Sequence, residues 1–414
     1  MFPPLGSAGA SIRLVKLLKL VAEHGWSFAI FTQDLQRPVT PEPPECAFLL
    51  AEVPANAVVH RVPNPTTGPG RLRQWVRRLA GPSGLLWSLR VVWQAWTRYR
   101  RQPPALVFAT SPPFTNVAAG LALARLFNVP FVLDMRDDWV GSPTFWRKGR
   151  LRRAVETWLE AAIMRRAAAV VTVTPASHAD TRRRYAHWGQ ADKLLCLPNG
   201  LDLDEFRALA GRPRLAQGPR FRLTTAAQNY RPDYRDLTPL LQTLERLFAL
   251  NPAARDQLEV EFLGADPHPT YQAALAQLLP PGAVHYRGLL DRPSVVAGLW
   301  QADLFWLVQP RGNVTAVAGT LYEYWATGKA PVLLFADDGA SSQLVRDHHL
   351  GAAFHFEQVD AAAQYMAQVL AAFQQQQPRW IERAGIEAYD RRQSAGRMAA
   401  VWQAAVSQAH APRA

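Results

Sequence analysis

The sequence has almost no cysteine: two residues in 414, Cys46 and Cys196. They lie too far apart for a metal or redox spacing, and they exclude a disulfide-stapled scaffold; a reducing cytosol suits them. No short apolar core with a small-residue cleavage site opens the chain, so no signal peptide is expected. The most apolar long stretch, residues 105–133, is broken by Pro112, Pro113, Asn116 and Arg125. Spanning a bilayer takes about 20 mostly apolar residues, so this stretch is a poor transmembrane candidate. The ten histidines form no HExxH and no cluster with carboxylates, and no G-x-S-x-G elbow is present. In "GPGRLR", Arg73 stands where a dinucleotide fingerprint needs its third glycine, so no nicotinamide site is supported. Gly328-Lys329 does not belong to a phosphate loop, because Ala330 follows and the pair ends a predicted helix instead of opening one.

Acid is missing from one region. Residues 53–133 contain ten arginines and no Asp or Glu. The chain carries +13 overall, and the imbalance is confined to its first half. Residues 1–200 hold 26 Lys and Arg against 12 Asp and Glu, whereas residues 201–414 hold 20 against 21. Such asymmetry predicts an anionic partner or surface for one half only.

What is present is apolar and alternating. Hydrophobic residues make up 49% of the chain, charged residues 19%, and there are 14 tryptophans, enough to bury a core in each of two ordinary domains. "FAIFT", "ALVFAT", "PFVLD" and "AVVTVT" read as strands in the first half, and "EVEFLG", "VHYRG", "DLFWLV" and "APVLLF" in the second. Helical spacing fills the gaps, as in "SIRLVKLLKLVAEHG", where Ile12, Val15 and Leu18 share a stripe and Gly25 stops the helix. The pattern predicts an α/β chain with two Rossmann-like parallel-sheet domains. The expected boundaries are residues 1–200, 201–378, and a helical segment 379–414 that crosses back. "MFPPLGSAG" reads as the loop that normally follows the first strand of such a domain, so that strand is expected to be missing or to lie upstream.

Four segments stand out in order: "PPLGSAG", "LDMRDDW" (133–139), "LPNGLD" (197–202) and "GTLYEYWATGKAPVLL" (319–334). Together the blocks resemble the family-4 glycosyltransferases of the two-Rossmann GT-B fold, most closely the branch that builds bacterial surface polysaccharide and lipopolysaccharide. The resemblance implies two domains facing each other across a cleft. It implies an enzyme that moves a sugar, with retention, from a nucleotide-sugar donor to a glycan or lipid-linked acceptor, using no cofactor and no metal. It also implies site residues. Gly6, Ser7 and Gly9 would form the acceptor-side loop, Arg136 and Asp137 would line the reacting centre, and Arg235, Gly319, Thr320 and Glu323 would bind the donor. Glu323 would accept the ribose hydroxyls. Gly319 and Thr320 would offer backbone amides to the diphosphate, as a helix N-terminus can. The chain departs from the family pattern at Thr315, which holds the place of a first glutamate. It departs again at "TAAQNY", which stands for a Gly-Arg, and at Arg136, where a histidine is common.

The residues alone leave other readings open. Glu323 in a first helical turn would be dipole-stabilised with no ligand at all. Asp134 reads as a cap or as an ion-pair partner of Arg136. Arg235, beside Asp233 and Asp236, reads also as a solvated surface arginine. "RLRQWVRRL" and "LLWSLRVVWQAWTRYRR" are basic and amphipathic. Arg73, Trp75, Arg77, Arg78, Trp93 and Arg98 are expected to face an anionic membrane surface at the inner face of the plasma membrane; solvated arginines over core-packing stripes are the plainer reading. Nucleic-acid motifs are missing, so no nucleic-acid partner is expected. A nucleotide-sugar epimerase of the same fold and a catalytically silent membrane- or polysaccharide-binding scaffold are the rival functions.

Overall fold

The computed structural model describes residues 2, 8–34, 44–64, 84–142, 145, 148–188, 191–207, 209, 219–264, 266–377 and 379–410. It divides into two compact units, residues 1–199 with 391–414, and residues 200–390.

The first unit runs α1 (Ala8–Ala22), β1 (Phe28–Asp34), α2 (Pro44–Ala51), β2 (Ala57–Pro63), α3 (Gly84–Tyr99), β3 (Val107–Ser111), α4 (Thr115–Phe127), β4 (Phe131–Met135), α5 (Arg150–Arg166), β5 (Ala169–Thr172), α6 (Pro175–Tyr185) and β6 (Leu194–Cys196). All strand pairs are parallel, in two sheets, β1-β2 and β3-β4-β5-β6. β4 and β5 are apolar almost throughout and wholly buried, as parallel strands covered on both faces must be. Among the described residues no strand joins β1 to β3. Packing joins the two sheets instead. Trp87, Val91 and Ala95 of α3 bury against Val62 of β2 and Leu123 of α4.

The second unit runs α7 (Asp204–Arg207), β7 (Phe221–Thr225), α8 (Thr238–Leu250), α9 (Ala254–Gln257), β8 (Leu258–Phe262), α10 (Pro269–Leu278), β9 (Val284–Tyr286), α11 (Arg292–Leu299), β10 (Leu304–Val308), α12 (Gly319–Thr327), β11 (Val332–Phe335), α13 (Ala340–Asp347), β12 (Gly351–Phe354) and α14 (Val359–Gln374). Its six strands are all parallel in the order β12-β11-β10-β7-β8-β9. The order reverses between β7 and β10. In an open parallel sheet such a switch point opens a crevice at the carboxyl ends of the strands, where ligands bind. The loop after β7 carries Arg235, and the loop after β10 leads into α12 with Gly319, Thr320 and Glu323.

The closing helix, α15 (Arg391–His410), belongs to the first unit. Its Trp402 meets Phe28 of β1 at 6.2 Å and Phe108 of β3 at 5.0 Å, so one indole touches both sheets. The helix starts twelve residues later than its apolar spacing suggests. Gly385 adopts φ 86°, a single 3₁₀ turn follows at Ile386–Tyr389, and Leu201 N–H donates to Tyr389 O at 3.0 Å. These contacts hold the segment to the second unit up to Asp390. Gly200 of "LPNGLD" is required there, because its φ is 53° and a Cβ would lie 2.1 Å from the Tyr389 oxygen.

Candidate functional site

In the second unit, α12 has Ala318 at its N-cap, with no side chain capping the first-turn amides. Gly319 is exposed, and a Cβ there would meet nothing within 4 Å. Thr320 Oγ1 is buried without a hydrogen-bond partner. A free helix N-terminus with an unsatisfied hydroxyl beside it is suited to an anion carrying acceptor oxygens. The other end of α12 confirms that Gly-Lys is a stop. Gly328 is the C-cap at φ 59°, and Lys329 is buried with its ammonium 4.7 Å from the Trp380 ring.

Glu323 is the fifth residue of α12, not part of its first turn, which has no acidic residue. Dipole stabilisation fades within one turn, so it does not account for this carboxylate. Its partner is Arg292, the first residue of α11, at 2.9 Å from Nη1 to Oε1. Arg292 also gives Nε at 3.1 Å and Nη2 at 2.7 Å to Glu205 Oε2 on α7. The three side chains are nearly buried. Burial works against the Arg292 charge, but Glu323 and Glu205 outweigh it and raise its pKa.

Next along the helix, Tyr324 faces inward. Its ring stacks on Phe305 at 4.3 Å, and its hydroxyl accepts the Ala226 N–H at 3.0 Å and meets Thr225 Oγ1 at 3.2 Å. Burial pushes the phenol up to about 12, with Glu323 adding to the shift and Arg235 opposing it. Tyr324 thus ties the loop after β7 to α12. Within that loop Arg235 is half-buried. It donates Nη1 to Gln228 O at 3.2 Å and lies over the Tyr234 ring, and its buried Nε has no partner. It is not a solvated member of an ion pair with its acidic neighbours. Asp233 pairs with Arg231, and Asp236 accepts from Thr238 and Tyr271.

In the first unit, the structure sorts the three carboxylates of "LDMRDDW". Asp134 is buried, paired with Arg13 of α1 at 2.7 Å and bonded by Thr110 at 2.9 Å. The expected Asp134–Arg136 pair is therefore replaced, because the strand aims Asp134 into the core beneath α1. Arg136 turns to the end of β3 and donates to Ser111 O at 3.1 Å and Pro112 O at 2.9 Å. Asp138 is also buried and accepts from Ser177 Oγ at 2.6 Å. Asp137 alone is exposed. Enough protein still surrounds it that desolvation, the largest cause, raises its pKa against the pull of Arg136.

A buried layer holds this loop. Glu160 of α5 accepts the Val140 N–H at 2.8 Å, Arg184 Nη1 at 2.8 Å, and the Tyr185 hydroxyl. Trp139 stacks on Phe114 at 4.6 Å and donates to Glu156 at 2.8 Å. Of the remaining expected residues, Gly9 lies in the first turn of α1. Trp93 is exposed on α3, and Arg98 lies in the last turn of that helix. Gly6, Ser7, Arg73, Trp75, Arg77 and Arg78 lie outside the described residues. Arg292, Glu205 and Tyr324 were missed by sequence reasoning. Asp291-Arg292-Pro293 reads locally as a helix start and nothing more.

Among the described residues no group of three or more His, Cys, Asp or Glu side chains could hold a metal ion, and no helix is long and apolar enough to cross a membrane. Residues 8–200 match a family model described as a glycosyl transferase 4-like domain. No curated protein matches the chain in sequence. Known structures share its fold, three of them as follows. A glycosyltransferase from Rickettsia africae has a TM-score of 0.65 at 12% identity, covering 98% of this chain and 97% of that one. Anabaena HepE in complex with UDP and glucose has a TM-score of 0.61 at 16% identity, covering 96% of each chain. Sucrose-phosphate synthase from Thermosynechococcus elongatus has a TM-score of 0.59 at 16% identity, covering 98% of this chain and 92% of that one.

Proposed function

We propose that this chain, which has the two-Rossmann GT-B fold and matches a glycosyl transferase 4-like domain over residues 8–200, transfers a hexosyl group from a nucleotide-sugar donor to a glycan or lipid-linked acceptor. In this reading the reaction retains anomeric configuration and uses no cofactor and no metal. The acceptor belongs to cell-surface polysaccharide, such as lipopolysaccharide, and the protein works from the cytoplasmic side, peripheral to the membrane.

One observation carries the donor half: at the switch point of the second sheet, an uncapped helix N-terminus and an orphaned Thr320 hydroxyl share α12 with a carboxylate held by Arg292, and Tyr324 of the same helix bonds the start of the loop that carries an orphaned Arg235 Nε. The amides of Gly319 and Thr320 bind the diphosphate. Arg235 neutralises charge as the diphosphate leaves, and preorganised donors of this kind are the main source of stabilisation at such a centre. Glu323 has a second oxygen for the ribose. Asp137 is the carboxylate that the first unit leaves open to substrate, with Arg136 beside it fixed on two carbonyls.

Calorimetry with nucleoside diphosphates, UDP first because the HepE structure contains it, tests the donor half. Micromolar binding that weakens at least tenfold in Arg235→Ala and Thr320→Val is the expected result. No binding by any nucleoside diphosphate would leave a silent scaffold as the better reading. Product analysis with the bound nucleotide's sugar conjugates then separates transfer from epimerisation.

A further inference from the structure

Two helices of the first unit turn a stripe of apolar side chains to solvent. On α3, Trp87, Val91 and Ala95 fill the core, yet Leu85, Leu89 and Trp93 stand exposed on another face, Trp93 at 66%. On α5, Ile163 and Met164 pack against Val117 and Leu121 of α4, yet Leu151 is 80% exposed and Trp158 68%, with Val155 exposed between them. Residues at i, i+4 and i+7 fall within an arc of about 60° on a helix, so the α5 set is one stripe. Surface helices normally put polar residues there. α4 packs against both helices, so the two stripes flank it, and exposed apolar stripes of this kind mark an interaction surface.

The topology adds charge at one edge. β3, β4 and β5 run parallel, and each is entered from the helix before it. The C-termini of α3, α4 and α5 therefore lie along the same edge of the sheet. All three carry arginine in the last turn: Arg98, Arg125, and Arg165 with Arg166. Arg98 and Arg166 donate to Gln94 and to the Ala162 carbonyl instead of to carboxylates. The two acids of α5 are already engaged, Glu156 by Trp139 and Lys148, and Glu160 by Arg184.

We propose that the exposed faces of α3 and α5, with the arginine row at their C-terminal edge, form the surface by which the first unit docks on an anionic lipid bilayer. The proposal rests on the membrane-side transferase reading and adds the surface that reading needs. Trp and Leu stripes bordered by arginine match a bilayer interface, where rings and aliphatic chains enter the acyl boundary and guanidinium groups stay with the phosphates. A second copy of the chain fits less well, because like-charged edges would meet and repel. Nucleic acid would use the arginines and leave the apolar stripes without a role.

Sedimentation with sucrose-loaded vesicles tests this, using phosphatidylcholine alone and phosphatidylcholine with about a third phosphatidylglycerol. The native chain should bind the mixed vesicles and lose most binding at high salt. Leu151→Ser with Trp158→Ser, and separately Leu89→Ser with Trp93→Ser, should each lower partition roughly tenfold, with an unchanged melting temperature. Arg165→Gln with Arg166→Gln should flatten the salt dependence. Variants that partition like the native chain would overturn the proposal. So would a native dimer in solution that becomes monomeric in the serine variants, or binding to single-stranded RNA at the expense of vesicles. UDP calorimetry on the same samples separates the two readings. Vesicle binding without nucleotide binding would leave the surface standing and the transferase reading overturned, and nucleotide binding without vesicle binding would do the reverse.

Discussion

Glu323 Oε1 lies 2.9 Å from Arg292 Nη1, and the opposite edge of the same guanidinium is held by Glu205. One arginine thus fixes a carboxylate on α12 to the helix that opens after β9 and to the short helix that follows "LPNGLD". The pair holds Glu323 in a set orientation, with its second oxygen uncommitted to Arg292. The geometry suits a carboxylate that must read a ligand, because its rotamer is set before the ligand arrives.

Arg292→Met should therefore be costly. Removing one member of a buried ion pair strands the other charges, at about 3–5 kcal/mol. Arg292→Lys keeps a charge but cannot span both carboxylates and should lose less. Urea melts of the two variants check this order. Equal and small losses would show that Glu205 and Glu323 find other partners.

The first unit offers a parallel case. Glu160→Ala removes the acceptor of the Val140 N–H, Arg184 and Tyr185 together. The expected loss is again about 3–5 kcal/mol, and faster proteolysis should appear in the loop after β4. An intact loop in limited proteolysis would mean that the Trp139–Phe114 stack alone holds it.

How much of this was legible depends on how local each cause is. β4, β5, β10 and β11 announce themselves as largely apolar runs, and β8, "LEVEF", as an alternating one. β7, "FRLTT", does not, since it has only two large apolar residues and Arg222 lies between them, and its place is set by pairing with β8 and β10 on either side. β2 was missed for the same reason, with His60 and Arg61 in its middle. The donor-side residues could be placed because strand, loop and helix follow one another in sequence. Arg292 could not, because its partners are 31 and 87 residues away and only the sheet order brings them together. "LDMRDDW" shows the same limit: three carboxylates in five residues look alike until Arg13 and Ser177 claim two of them.

A pH effect follows from Asp303, at the start of β10. Burial, partly opposed by the Arg222 N–H it accepts, raises its pKa to about 6 from the ordinary 3.8. Between those values the folded chain binds the proton and the unfolded chain does not. Stability contributed by the protonated form is thus full below about pH 4 and lost as pH rises through 6. Asp303→Asn keeps an oxygen for the Arg222 N–H and removes the titration. Its melting temperature relative to the native chain should rise between pH 4 and pH 7, by the equivalent of roughly 1–3 kcal/mol. A constant difference across that range would show that Asp303 ionises normally.

The sharpest test falls on Glu323. A carboxylate has several acceptor sites, so it can stay paired with Arg292 through one oxygen and accept ribose hydroxyls through the other. Hydrogen bonds to a charged group contribute about 1.5–3 kcal/mol, on the order of 10- to 100-fold in affinity. Glu323→Gln keeps the shape, removes the charge, and exchanges one acceptor for a donor. It should weaken the binding of nucleoside diphosphates by that factor. A 2′-deoxy analogue should bind the native protein poorly already, and should lose much less on substitution. The stability cost of losing the Arg292 pair is the same whichever ligand is present, so comparing the two ligands on one folded variant cancels it. Equal losses for ribose and deoxyribose ligands in calorimetry would mean that Glu323 serves Arg292 and the fold, and that the sugar is recognised elsewhere.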